Sequence, residues 1–350
     1  MPTNAYWSAL PAAASFLGSN NPFGVSYGAD PHNKIPYSIE YNLGVEQQLQ
    51  DRLTLKADYV GSVGRHGYVA ATTNTATAPG PGAIQPRALY PQYGTFSYSL
   101  NGMPSSYNAL QVALNKQMSS GLSFKASYTW SKSMDWQSDP YTGSPVDFYD
   151  MRPDWGPSDY NRSQIFVLSG IYQLPFGKGK AFLNGANAFT DGALGGWSVG
   201  SIITLDSGAP TYVFANGDVT NTGWPDQRAQ RTGANPYMSS GGGGKTLKQW
   251  LNPAAFTQPA QFTRGNESRN DLHNPSYANV DLNATKTFPL FESSKLVFKA
   301  ESFNIFNHTN YSPAPGTPPG SYTVGSSGFG QITSTNGYGR LIQFGLKVQF

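Results

Sequence analysis

The chain has 350 residues and no cysteine, and its formal net charge is +3. This small charge gives no support for nucleic-acid binding, and the lack of cysteine excludes disulfides and thiolate metal sites. Charged residues make up only 12%, whereas glycine, proline and aromatic residues are abundant, a composition that favours strands, turns and long loops.

Nine segments alternate apolar and polar residues over roughly ten positions, the length of a tilted membrane-spanning strand. Alternate residues of a strand share one face, so each segment predicts an apolar face and a polar face. The continuous apolar run from Ile165 to Leu168 leaves the facing of one segment open, and a tenth strand near 96–101 would make the count even. The nine segments are 37–49, 52–62, 107–118, 121–133, 162–174, 195–206, 276–288, 294–305 and 339–350.

Short and long connections alternate between these segments. Tight turns follow the first, third and seventh segments, and long polar loops cover 63–106, 134–161, 207–275 and 306–338. Periplasmic turns and extracellular loops of outer-membrane barrels alternate in this way. The connection 175–193 is an exception, because its place in the order puts it on the short-turn side despite its length.

Charged residues within the strands keep to the polar face. A lysine or arginine facing lipid at mid-membrane costs about 2–4 kcal/mol, so a membrane would leave this distribution, although a soluble sandwich with a charged outer face would show it too. Lys116, Lys286 and Arg340 depart from it, but they lie near strand ends, where a basic side chain reaches the interface. The residues predicted to face the barrel lumen are Glu40, Lys56, Asp58, Lys125, Asp281, Lys299, Glu301 and Lys347.

The last segment ends the chain on an aromatic residue. Its predicted lipid-facing side consists of Ile342, Phe344, Leu346, Val348 and Phe350. Such a strand resembles the C-terminal strand of bacterial outer-membrane barrels, and the barrel-assembly machinery recognises that strand. A core strand of a soluble β-sandwich has the same alternation, so that alternative stays open.

The long loops contain the candidate binding residues. Asp135, Asp139, Asp147 and Asp150 supply oxygen ligands of the kind that Ca²⁺ prefers, but their spacing differs from that of an EF-hand, and solvated, turn-forming aspartates are the competing interpretation. The loops are also rich in asparagine, glycine, tyrosine and tryptophan, a composition that suits an extracellular ligand such as a glycan but is also that of ordered outer loops in general. Aromatic examples are Trp224, Tyr237 and Trp250.

Other motifs give no sign of catalysis. The stretch 239–246 (SSGGGGKT) lacks the first glycine of a phosphate-binding loop and a preceding strand, so it indicates a flexible loop. The histidines are scattered, and no nucleophile elbow is present. We therefore predict no catalytic residue, no cofactor and no enzymatic activity.

Several segments together resemble the TonB-dependent outer-membrane receptors of the Oar-like type, which are abundant in Acidobacteria. No single motif carries the resemblance; the order and spacing of the segments do. They are 106–112 (SYNALQV), 121–133 (GLSFKASYTWSKS), 174–179 (LPFGKG), 195–197 (GGW), 277–282 (YANVDL), 299–308 (KAESFNIFNH), 329–332 (FGQI) and the final Phe350.

The resemblance implies a 22-stranded barrel around a plug, of which this chain supplies about the last nine strands. Residues 1–36 would be an N-terminal loop or partial segment, and residues 37–350 the C-terminal part of the barrel. The N-terminus lacks the features of a signal peptide, so we expect a longer exported protein.

The implied function is the barrel wall of a receptor that imports a bulky nutrient, such as a glycan or a chelate, across the outer membrane of a Gram-negative-type bacterium. The implied partners are outer-membrane lipid, the barrel-assembly machinery, an unknown extracellular ligand and, through the missing N-terminal part, the plug and the TonB complex. Two alternatives remain: a structural or adhesive outer-membrane protein, and a soluble β-sandwich binding module.

Overall fold

The computed structural model describes residues 26–139, 145–225, 227–238, 246, 249–291, 294–311, 322–332 and 334–350. Nine long strands form one sheet in which each strand pairs antiparallel with its neighbours in the chain. Each coincides with one of the nine predicted segments, so the predicted all-β antiparallel fold is confirmed. The strands are β1 (Tyr37–Gln50), β2 (Leu53–Thr73), β3 (Phe96–Ser119), β4 (Leu122–Asp135), β5 (Gln164–Gln173), β6 (Trp197–Asp206), β7 (Tyr277–Pro289), β8 (Lys295–Phe303) and β9 (Leu341–Gln349).

The β2–β3 hairpin extends beyond the predicted segments. Its register shifts at two places between Gly64 and Tyr68, and the strands then continue to Thr73 and from Phe96. Such bulges break the period of two, which is why the sequence pattern stops near residue 62. The predicted tenth strand at 96–101 is therefore part of β3, and Ser26–Ala29 pairs parallel with Phe96–Ser99.

The sheet is open. Among the described residues, β1 and β9 are the outermost of the nine strands, and each pairs with only one other of them. This arrangement fits part of a larger barrel, as predicted. The β-sandwich alternative is wrong, because all nine strands belong to one continuous sheet rather than to two packed sheets.

The strand register places all eight charged residues predicted for the lumen on one face, which we call the polar face. For example, Lys125 pairs with Ser169, which pairs with Ile202, which pairs with Asp281. The open question about the fifth segment is answered as well: Ile165 and Val167 lie on the polar face. The opposite face, which we call the apolar face, carries Ile342, Phe344, Leu346 and Val348, all exposed.

One motif residue has a clear structural role on the apolar face. The side-chain oxygen of Asn108 accepts hydrogen bonds from the hydroxyls of Tyr41 and Tyr59, both at 2.8 Å. Gly61 lies beneath the Tyr41 ring, where a Cβ atom would approach a ring carbon to 2.2 Å. The polar amide is thus bonded on a face that carries mostly apolar side chains.

The connections separate onto two edges of the sheet. The short-turn edge has the turns 51–52, 120–121 and 290–294 and the longer segment 174–196, which contains the α-helix α1 (Ala188–Leu194). The long-loop edge has connections 74–95, 136–163, 207–276 and 304–340. Their short strands are Gly156–Pro157, Pro210–Thr211, Gln230–Arg231, Phe256–Thr257 and Leu272–His273, and their 3₁₀ turns are Gln85–Arg87, Arg152–Asp154 and Pro253–Ala255. No helix of the described part of the chain is long and apolar enough to cross a membrane.

Candidate functional site

The described parts of the long connections pack together into a folded unit, which we call the loop cap; it also includes the ends of β2 and β3 beyond their bulges. One of its cores joins the β2–β3 hairpin to two loops. Within it, Trp224 stacks on Phe148 with ring centroids 6.1 Å apart, and Tyr98 meets Phe148 edge-on at 6.4 Å. Val69, Met103 and Met151 complete this buried cluster.

A second core joins the connections 207–276 and 304–340. Its buried members are Val213, Ala229, Leu251, Ala255, Phe256, Leu272 and Tyr322. Tyr237 and Trp250 pack against it, with their rings edge-on at 6.4 Å. Of the three loop aromatic residues predicted to suit ligand contact, Trp224 is buried. Tyr237 and Trp250 are half-buried against the second core, and their contact with a ligand stays a prediction.

Ion pairs connect the loop 136–163 to the loop 207–276. Arg269, which is buried, contacts Asp135 at 2.6 Å and Asp159 at 3.1 Å. Arg264 contacts Asp147 at 2.6 Å, and Arg228 forms a fully buried pair with Asp154. Three arginines of the loop 207–276 therefore bind carboxylates that lie at the end of β4 and within the loop 136–163.

These contacts locate the predicted calcium candidates. Asp135 and Asp147 pair with distant arginines, Asp150 pairs with Arg152 at 2.7 Å, and Asp139 is half-buried. Asp147 is buried and Asp135 half-buried against these arginines, so the interpretation of solvated aspartates is wrong for these two. Partners more than a hundred residues away leave no local sequence signal. Across the described ranges, no three His, Asp or Glu side chains come close enough to share a metal ion.

Burial changes the titration of two cap carboxyls. It raises the pKa of Asp154 to about 6, although the neighbouring Arg228 acts in the opposite direction. It also raises the pKa of Glu267 to about 7, helped by the nearby Asp271, while Arg231 opposes it. Glu267 and Asp271 share the Arg231 guanidinium, and Oε1 of Glu267 has no hydrogen-bond partner in the structure.

We expect the loop cap to lose stability as the pH rises from about 4.5 to 7. A carboxyl whose pKa is higher in the folded state binds more protons there, so it favours folding at low pH and this contribution is lost on ionisation. For Glu267 the loss is on the order of 3 kcal/mol, from about 1.4 kcal/mol per pKa unit. Hydrogen exchange of cap amides measures this loss of stability, once the rates are corrected for the intrinsic pH dependence of amide exchange. Glu267→Gln should flatten the profile above pH 6; an unchanged profile would contradict this assignment.

A cavity of about 580 Å³ opens in the loop cap. Its lining comes from two connections and contains amides, a carboxylate and one aromatic ring: Gly82, Asn216, Asp218, Val219, Asn221, Gln258, Pro259, Gln261 and Phe262. Asp218 accepts bonds from the Thr220 hydroxyl at 2.6 Å and the Gly223 amide at 2.5 Å. The carboxylate is thus held in place by the protein, and the cavity offers mainly neutral polar groups.

The rim of this cavity is held by side-chain amides. The side-chain amide of Gln258 donates to the Asn216 carbonyl at 2.8 Å, and its oxygen accepts from the Asn216 backbone amide at 2.9 Å. The Asn221 side chain donates to the carbonyls of Gly80 and Gly82. A second cavity, of about 300 Å³, lies beside the second core and is lined by Gln249, Pro253, Phe256, Val324, Gly325, Ser326, Ser327, Phe329 and Gln331. Sequence reasoning found neither cavity, because their residues come together only in the folded cap.

On the polar face, several predicted lumen residues bond to neighbours in the wall. Lys56 pairs with Asp58 at 3.0 Å, and Glu301 accepts from the Gln343 amide at 2.7 Å. Asp281 accepts hydrogen bonds from the Asn279 side-chain amide and from the Asn304 backbone amide, both at 2.9 Å. That this face lines a lumen stays a prediction, as does the absence of catalysis. Residues 239–245 of the glycine-rich stretch lie outside the described residues.

The chain resembles solved outer-membrane proteins at low identity. The outer membrane transporter YddB of Escherichia coli matches with a TM-score of 0.47 and 12% identity, over 91% of this chain and 33% of that one. The pyoverdine receptor FpvA of Pseudomonas aeruginosa matches with a TM-score of 0.43 and 13% identity, over 88% of this chain and 29% of that one. The FrpB iron transporter of Neisseria meningitidis matches with a TM-score of 0.42 and 13% identity, over 93% of this chain and 32% of that one. This chain thus spans about a third of their length.

The assignment to a family rests on a different comparison. No curated protein matches the chain. A family model, described as an outer membrane beta barrel domain, matches residues 2–343, nearly the whole sequence. That match agrees with the nine-stranded antiparallel sheet and with its alternation of turns and loops. The chain therefore belongs to the outer membrane beta barrel domain family, and its location is the outer membrane.

Proposed function

We propose that this chain forms wall and ligand-capturing loops of a TonB-dependent outer-membrane receptor that imports a bulky, uncharged, polyhydroxylated nutrient such as a glycan. The observation that carries the proposal is the 580 Å³ cavity in the loop cap. Its volume falls within the roughly 300–1,000 Å³ typical of small-molecule sites. In outer-membrane barrels the longer loops are extracellular, so the cap meets ligands before the pore does.

The chemistry of the lining favours a neutral ligand. The described residues that line the cavity include Gln258 and Gln261 but no lysine or arginine, the groups that would hold an anionic chelate. Side-chain amides both donate and accept hydrogen bonds, which matches hydroxyl groups. Phe262 and Pro259 add apolar surface of the kind that packs against the face of a sugar ring.

Binding of neutral oligosaccharides to the purified protein in detergent tests the ligand class. We expect at least one oligosaccharide to bind and Gln261→Ala to weaken it several-fold, because a hydrogen-bonding group leaves the lining. Ser327→Ala, in the second cavity, is the matched control and should leave the affinity unchanged. If no neutral oligosaccharide binds, or if both variants behave alike, this cavity is not the ligand site.

Uptake separates a receptor from a structural or adhesive protein. A labelled ligand should accumulate in the periplasm only while the inner membrane is energised, and a proton uncoupler should abolish accumulation without reducing surface binding. Surface binding with no energy-dependent uptake would favour the adhesive alternative.

A further inference from the structure

The segment 174–196 at the short-turn edge is a folded unit rather than a loose turn. The backbone amide of Lys178 donates to Asp191 at 2.8 Å, and Asp191 lies on helix α1. Gly177, with φ of +113°, has its Cβ direction filled by Asp191 and by the Cα atom of Gly195 at 2.8 Å. The glycines of the LPFGKG and GGW motifs thus permit this close packing, which a side chain would prevent.

This unit is fixed to the apolar face of the sheet. Trp197 and Lys286 pair across β6 and β7 on that face. The Trp197 indole donates to the Ala193 carbonyl at 3.0 Å, and the Lys286 ammonium donates to the carbonyls of Ala193 at 3.0 Å and Gly195 at 2.6 Å. A cation at a helix C-terminus is favourable. Lys286, expected to reach the interface, is instead buried against helix α1, which therefore ends over the apolar face.

Three large apolar side chains of this unit are exposed. Phe189 is 86% exposed, Phe182 58% and Leu194 52%. Phe189 lies two positions before Asp191, hence about 200° around the helix, on the side away from the packed loop. Exposed apolar residues of soluble proteins are usually scattered singly, whereas these three lie in one short unit that is bonded to the apolar face of the sheet.

We propose that the segment 174–196 is an interfacial anchor that inserts Phe182, Phe189 and Leu194 among the acyl chains of the periplasmic leaflet. Amphipathic segments on membranes combine a buried apolar side with basic residues that meet anionic headgroups. Lys178 and Lys180 are exposed in the same unit and supply that charge. The occupant of this surface is therefore anionic phospholipid.

Single-cysteine labelling tests the anchor, and the chain has no native cysteine to interfere. The intact protein carries an environment-sensitive fluorophore at Phe189→Cys and is reconstituted in phosphatidylethanolamine–phosphatidylglycerol vesicles. Phe344→Cys on the apolar face serves as the lipid reference, and Ala234→Cys in the loop cap as the water reference. Heat-modifiable migration in gels confirms that each variant has folded.

We expect brominated lipid to quench the label at 189 several-fold more strongly than the label at 234, and aqueous iodide to do the opposite. Bromine placed on phosphatidylglycerol should quench more than the same amount on phosphatidylethanolamine, and Lys178→Gln with Lys180→Gln should remove this preference. A label at 189 as open to iodide as the label at 234 would overturn the anchor. Equal quenching by both lipids would overturn the role of the lysines.

Discussion

Arg228→Leu should lower the free energy of unfolding of the loop cap by about 3–5 kcal/mol, the usual cost of removing one partner of a buried ion pair. Arg228 and Asp154 are both nearly inaccessible to solvent, and the arginine also donates to the Pro153 carbonyl at 2.7 Å. Without the guanidinium, the Asp154 carboxylate keeps the Val146 backbone amide as a donor but loses its counter-charge. The cap then exchanges its amide hydrogens faster, while the barrel strands stay protected.

The pH dependence distinguishes this mechanism from general damage to the cap. Asp154, whose pKa burial already raises to about 6, avoids an unpaired buried charge by protonation. The effect of Arg228→Leu should therefore be small near pH 4 and full near pH 8. Arg152→Leu is the control, because it removes the partner of Asp150 from an exposed pair and should change little. A pH-independent loss in Arg228→Leu would contradict the ion-pair mechanism.

The sequence predicts the barrel wall far better than the cap. Strand alternation is a local signal with a period of two, and it predicted both the nine strands and the shared face of residues such as Lys125 and Glu301. It weakened where bulges near Gly67 interrupt the period. The cap depends on contacts such as Arg269 with Asp135, which are 134 positions apart and have no periodic signature.

Composition likewise left the role of the loop aromatic residues open. Aromatic residues in a polar loop suit either a binding surface or a small core, and composition cannot choose between them. In the structure Trp224 belongs to a core and Gln261 lines the cavity. A lone glutamine in a loop gives no pattern, so the candidate site became visible only when the loops were folded together.

Trp224→Ala should destabilise the loop cap by about 3–5 kcal/mol, the range for truncating a buried tryptophan. The side chain is 2% exposed and stacks on Phe148, so its removal leaves a void between the β2–β3 hairpin and two loops. Trp224→Phe should cost less, because the ring contact remains and a buried indole N–H without a partner disappears. Hydrogen exchange of the hairpin ends and of both loops measures the effect.

The matched control is Trp155→Ala, since Trp155 is 40% exposed within the same cap. Its replacement should cost much less, because little apolar surface returns to water. Trp224 also lies three positions beyond Asn221, which lines the large cavity. Trp224→Ala should therefore weaken oligosaccharide binding together with cap stability, whereas Gln261→Ala should weaken binding alone. If Trp224→Ala and Trp155→Ala open the cap equally, the aromatic core does not hold the binding loops together.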